Sequence, residues 1–170
     1  ERARLSRLLH EAVESLPHGF SILDSDGSVV VANSAYAKSY GRTADNSIGI
    51  SQADYMDPFI ELCHRFDGRE ITVCAEDKTY IEERMLTSPE DPVEVETKTG
   101  AVWLMVRTHL SDGGYVTLRT DITTQKKAEA ERQRLAQLLH DAVESLPHGF
   151  LIMNKDSVIQ AANSAFASSY

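Results

Sequence analysis

The run Ala12-Val13-Glu14-Ser15-Leu16-Pro17-His18-Gly19-Phe20, followed by Ala32-Asn33-Ser34-Ala35, is written twice in this chain. It returns unchanged as Ala142 to Phe150 and Ala162 to Ala165. Around it, Glu1 to Tyr40 and Glu131 to Tyr170 align without a gap at an offset of 130, with 25 of 40 positions identical. A repeat this long is a domain-sized unit, not a solenoid module of about 20–50 residues. The first copy is complete within the 170 residues and the second stops early, so the sequence reads as part of a tandem array.

Outward from that run the local signals are plain. Leu5, Leu8, Leu9, Ala12, Val13 and Leu16 recur at helical spacing between charged residues, which predicts an amphipathic helix over 1–16. Pro17 removes a donor and disfavours helix at Leu16, ending it. Phe20 to Leu23 and Val29 to Ala32 flank the turn Asp24-Ser25-Asp26-Gly27, a hairpin, and Asn33 or Ser34 caps a short helix. Weaker helical text follows at Asp57 to Leu62 and Asp77 to Leu86. Val93 to Thr97, Ala101 to Leu110 and Tyr115 to Ile122, joined by Gly-bearing turns, predict a three-stranded meander. From Thr123 the composition favours helix without a breaker until Pro147, a span of about 24 residues or 35 Å. The sum is an α+β domain with one five-stranded antiparallel sheet.

Composition excludes several classes. Hydrophobic content of 42% and charged content of 25% are those of a globular protein. A net charge of −9 argues against a nucleic-acid surface. Apolar runs are too short to span a bilayer. Two cysteines, Cys63 and Cys74, make no disulfide framework and point to a reduced, cytoplasmic compartment.

Three stretches resemble the PAS domain. Ser15 to Phe20, Asp26-Gly27 and Ala32 to Tyr36 are similar to its opening hairpin and first helix. Thr99-Gly100, Trp103 and Asp112-Gly113-Gly114 resemble its strand meander, and Thr120-Asp121-Ile122-Thr123 its junction with the output helix. The resemblance implies strand order B-A-I-H-G, short helices on one sheet face and a small cavity between. The expected organisation is a flanking helix over 1–16, a PAS core over 17–122, a linker helix over 123–146 and the start of a second PAS domain over 147–170. The apolar hairpin of that second copy needs cover, from the remainder of its own domain or from a second chain.

The cavity candidates are Asn33, Tyr36, Tyr40, Met56, Phe59, Met85, Trp103, Met105, Arg107 and Arg119. A filled core is the competing reading of those aromatics and methionines. Flavin and haem are disfavoured: Leu62-Cys63-His64-Arg65-Phe66 lacks the family's photoactive cysteine motif, and residues 77–87 carry no histidine. Cys63, His64 and Cys74 lack zinc spacing, and Asp24 to Gly27 lacks the further ligands of a calcium loop. His10-Glu11 and His140-Asp141 superficially resemble a kinase phosphoacceptor, but Pro17 follows His10 by seven residues, farther than in that motif. No catalytic set can be assembled, so a non-enzymatic module is expected. Leu135, Leu139, Ala142 and Leu146 follow coiled-coil spacing, and with Leu5 and Leu9 they form the expected seam of a homodimer. By resemblance, Asp121, Ile122 and Thr123 would pass a signal from the sheet to an effector in the same parent chain, a histidine kinase or a cyclase. The alternative is a ligand-free dimerisation scaffold.

Overall fold

The structure is a computed structural model and describes residues 2–87 and 90–168. The chain divides into two compact units, Glu1–Thr123 and Thr124–Tyr170.

The first unit opens with helix α1 (Arg2–Glu14), strands β1 (Gly19–Leu23) and β2 (Val29–Ala32), and the one-and-a-half-turn helix α2 (Ser34–Lys38). After a 3-10 turn at Asp45–Ser47 come α3 (Gln52–Leu62), β3 (Cys63–Phe66), β4 (Arg69–Glu70) and α4 (Ala75–Thr87). The meander β5 (Val93–Thr97), β6 (Val102–His109) and β7 (Tyr115–Asp121) completes it. The sheet is antiparallel in the order β2-β1-β7-β6-β5-β3-β4. Its first five positions are the expected B-A-I-H-G order. The sheet itself has seven strands, where the sequence reading gave five.

The two added strands have a local cause. Cys63 and Phe66 are buried while His64 faces solvent, so the segment after α3 continues as a strand that pairs with β5 on one side and β4 on the other. Asp67 and Gly68 then take positive φ values of 48° and 80°, a two-residue reversal that pairs Phe66 with Arg69 and Arg65 with Glu70. Helix α3 also starts earlier than Asp57. Ser51 caps it, its Oγ accepting from the Asp54 amide at 3.2 Å and donating to Asp54 Oδ2 at 2.7 Å. Pro58 therefore lies inside the helix instead of opening it.

Alternation sorts the sheet into two faces. Gly19, Ser21 and Leu23 of β1, Thr117 and Arg119 of β7, Met105 of β6 and Val93, Val95 and Thr97 of β5 point towards the helices. Phe20, Ile22, Leu104, Val106, Val116 and Leu118 occupy the other face and are half-buried. The core between sheet and helices gathers Met56, Phe59, Ile60, Phe66, Ile81 and Val95. At the β6–β7 turn glycine is obligatory, because a Cβ on Gly114 would run into the Leu23 carbonyl oxygen.

Helix α5 (Thr123–Glu144) begins at the last residue of the first unit, and the second unit carries the rest of it with the hairpin β8 (Leu151–Met153) and β9 (Ile159–Ala162), and α6 (Ser164–Ala167). Helix α5 has 22 residues, about 33 Å. None of them is buried.

Asp77 anchors the N-terminal end of α4. Its carboxylate accepts from the Thr72 amide at 2.8 Å, the Thr72 hydroxyl at 3.0 Å and Arg69 Nη2 at 3.1 Å. The Thr72 amide foremost, then the Cys74 side chain and the Thr72 hydroxyl, hold its pKa down at about 2. An unfolded Asp titrates near about 3.9, so the stabilisation is complete above that value and vanishes as pH falls towards about 2. Asp77→Asn is expected to melt below the parent at neutral pH. Melting curves of the two proteins should converge as acid is added across that window, and a pH-independent gap would refute the assignment.

Candidate functional site

The site begins with one side chain. Asn33 is completely buried, and its carboxamide makes four hydrogen bonds to backbone. Its Oδ1 accepts from the Phe20 and Tyr36 amides, each at 2.9 Å. Its Nδ2 donates to the carbonyls of His18 at 2.8 Å and Val13 at 3.2 Å. Glu14 adds its carboxylate to the Ser34 amide at 3.1 Å, and the Ser34 hydroxyl foremost, with that amide, lowers its pKa. Together these fix the end of α1, the start of β1 and the first turn of α2 against one another. Gly19 allows the close approach, since a Cβ there would lie 3.3 Å from Tyr36 Cα.

Helix α2 and the residues after it then present Tyr36 and Tyr40, which meet Tyr55 of α3. Ring centroids are 5.3 Å apart for Tyr36–Tyr40, 5.7 Å for Tyr36–Tyr55 and 4.7 Å for Tyr40–Tyr55. Below them lies a cavity of about 40 Å³ lined by Leu23, Gln52, Met56, Phe59, Met85 and Met105, together with those tyrosines, Arg107, Thr117 and Arg119. Eight of the ten candidates drawn from the sequence share this lining. Asn33 and Trp103 stand outside it: the Asn33 carboxamide is fully engaged with backbone, and the Trp103 ring stacks on Arg119 at 4.3 Å. Tyr55, Thr117, Leu23 and Gln52 were not among the candidates.

The two arginines have different surroundings. Arg119 donates through Nη2 to the Tyr36 carbonyl at 3.1 Å and lies over the faces of Tyr36, Tyr40 and Trp103. Arg107 lies over Tyr115 at 5.1 Å, while its Nε and Nη1 are sealed from solvent without a hydrogen bond. Burial pulls its pKa down. Thr117 Oγ1 and Tyr55 Oη are buried and unpartnered as well. Among the described residues no acidic side chain lines the cavity.

The other candidates sit apart. Cys63 is buried, and burial pushes its thiol up to about 12, which makes it an unreactive core residue. His64 faces solvent on the opposite side of β3. Asp24 Oδ1 accepts from the amides of Asp26 at 3.0 Å and Ser28 at 2.8 Å, as a hairpin turn requires. Among the described residues no cluster of His, Cys, Asp and Glu has metal-site geometry.

At the exit from the sheet, Asp121 Oδ1 accepts from the Thr123 amide at 2.9 Å. The Thr123 hydroxyl accepts from the Val102 amide at 2.8 Å and lies 3.4 Å from the Val102 carbonyl, while the Ile122 amide reaches that carbonyl at 2.9 Å. The first residue of α5 is thus latched to the first residue of β6. On α1 and α5, Leu5, Leu9, Leu135 and Leu139 are 60%, 59%, 50% and 68% exposed, and Leu146 is 41% exposed. Thr123→Val removes the latch but keeps the shape. It should lower stability by about 1–2 kcal/mol and speed amide exchange at Val102 while leaving exchange at Phe66 unchanged. Unaltered exchange at Val102 would show that the latch contributes nothing.

No helix among the described residues is long and apolar enough to cross a membrane. A search of curated proteins finds no match. Among solved structures the chain is similar to an RNA-binding light-oxygen-voltage receptor, at 15% identity and TM-score 0.46 over 81% of this chain and 38% of that one. It is similar to the PAS domain of BvgS from Bordetella pertussis, at 21% identity and TM-score 0.41 over 84% of this chain and 99% of that one. A domain of a sensory box sensor histidine kinase/response regulator from Geobacter sulfurreducens matches at 16% identity and TM-score 0.43, over 71% and 97% of the two chains. A sequence model of the PAS fold matches residues 13–130, more than half of the chain. With that match and the sheet order above, the chain belongs to the PAS-fold family.

Proposed function

We propose that this chain is a sensory and regulatory module of a signal-transduction protein, acting through a dimeric helical linker and performing no catalysis. The observation that carries the reading is the latch between Val102 and Thr123, which couples the sheet to the first turn of a helix whose leucines are exposed. Leu135, Leu139 and Ala142 lie on one stripe of α5, Leu146 follows two residues after its end, and Leu5 and Leu9 lie on α1. Leucine stripes so exposed to water favour association with a second copy of the same helices. A stimulus that shifts the sheet would then move the helix start, provided the helix pair has two arrangements of similar energy. An effector in the parent chain, a histidine kinase or a cyclase, would read the shift.

The second reading is a constitutive dimerisation scaffold. The small cavity favours it, because about 40 Å³ leaves most of the core filled by side chains. Native mass spectrometry separates the two: a small mass retained in the dimer supports the sensor, and a ligand-free dimer indifferent to added ligands supports the scaffold.

Leu139→Glu places a charge in the seam. It should shift the protein from dimer to monomer in sedimentation velocity, with the near-ultraviolet signal of Trp103 unchanged. A dimer of undiminished stability would remove the seam.

A further inference from the structure

We propose that the cavity beneath Tyr55 binds a short-chain carboxylate, with the Arg107 guanidinium as its charge partner and the Tyr55 and Thr117 hydroxyls as orienting donors. The proposal rests on the sensory reading for its purpose and on the geometry of the sheet for its chemistry.

Sheet register places the groups together. Ser21 pairs with Thr117 across β1 and β7, and Thr117 pairs with Arg107 across β7 and β6, so the three form one row on the helix-facing side. Each keeps at least one buried polar atom without a partner, and Tyr55 Oη does the same from α3. A water molecule would satisfy hydroxyls of this kind. It would not neutralise a guanidinium. Among the described residues the lining contains two arginines and no Asp or Glu, and the Arg119 charge is already met by three aromatic faces and a carbonyl. Arg107 has one aromatic face and a desolvated charge. The complement of this surface is an anion with hydrogen-bond acceptors. The remaining walls, Met56, Phe59, Met85 and Met105, suit a hydrocarbon tail, and about 40 Å³ limits that tail to a few carbons.

The test uses the whole chain, with acetate, propionate and butyrate as probes. Acetamide, propionamide and sodium chloride at matched ionic strength serve as controls. Thermal unfolding and calorimetric titration are expected to show binding of at least one acid and none of the amides or chloride. Arg107→Met should weaken that binding by at least about tenfold. The ligand-free variant should melt no lower than the parent, because an unmet buried charge has been replaced by a hydrophobe. Thr117→Val, a near-isosteric change, should weaken binding several-fold with folding retained. Absence of acid binding by the parent, equal responses to amides or chloride, or undiminished binding by both variants would each overturn the proposal. So would a large loss of stability in ligand-free Arg107→Met. If acids fail while the dimer persists in sedimentation, this inference alone falls. If the parent is monomeric, the sensory reading falls and acid binding is still measurable.

Discussion

The Asn33 carboxamide is the constraint on which the first unit depends. The end of α1 leaves carbonyls without partners, and the starts of β1 and α2 leave amides without them. One amide side chain offers two donors and two acceptor sites, and Asn33 uses all four on Val13, His18, Phe20 and Tyr36. Asp at this position would lose both donors, and Ser would be too short to span helix, turn and strand. Because Asn33 has no exposure to water, every group it leaves unmet would cost the full desolvation penalty. The direction of β1 follows from this junction, and with it the pairing of Gly19 with Arg119 and Ser21 with Thr117. The position of α2 follows too, and so do the Tyr36 and Tyr40 rings over the cavity.

The second copy separates what this junction does alone from what the rest of the domain adds. Asn163 repeats the pattern, accepting from Phe150 at 2.7 Å and Phe166 at 3.0 Å and donating to His148 at 2.9 Å and Val143 at 3.2 Å. Glu144 reaches the Ser164 amide at 3.1 Å, as Glu14 reaches that of Ser34. Asn163 is 1% exposed. The apolar positions behave differently. Leu23 and Val29 are 3% and 1% exposed, whereas their counterparts Met153 and Ile159 are 54% and 55% exposed. The polar junction is therefore encoded locally in each copy, and burial of Leu23 and Val29 in the first copy is supplied by the helices and strands packed around them. The turn shows a related difference: Ser157 takes a φ of 61° where the first copy has Gly27 at 77°. A side chain there carries the strain that glycine avoids.

Legibility in the sequence follows the same division. The flanking helix, the hairpin and the meander announce themselves through periodicity and turn residues, which act over a few positions. The β3–β4 hairpin carried a readable signal in Asp67-Gly68, but two residues of β4 make too short a run for alternation to register. The start of α3 was legible in Ser51-Gln52-Ala53-Asp54 and was masked by Pro58, whose usual place is the first turn. Residue type and a family resemblance sufficed to gather eight lining side chains. They did not reach Tyr55, whose orientation depends on where α3 begins. Nor did they reach Thr117, an ordinary strand threonine until register sets it beside Arg107.

Strand β6 connects the two halves of the functional reading. Arg107 and Val102 lie on this one strand, the first facing the cavity and the second latched to Thr123. A strand paired on both sides transmits displacement along its length more readily than it bends, since β5 holds Val102 through Glu96 and β7 holds Arg107 through Thr117. An anion that draws the Arg107 side chain towards Tyr55 acts on the same element that fixes the helix start. Such coupling needs no long chain of intermediaries. It needs only that the ligand bind one position of β6 better than another, because a ligand indifferent to the two shifts nothing. The desolvated Arg107 charge would supply that preference: the arrangement that brings it closest to a carboxylate is the one that binding would favour.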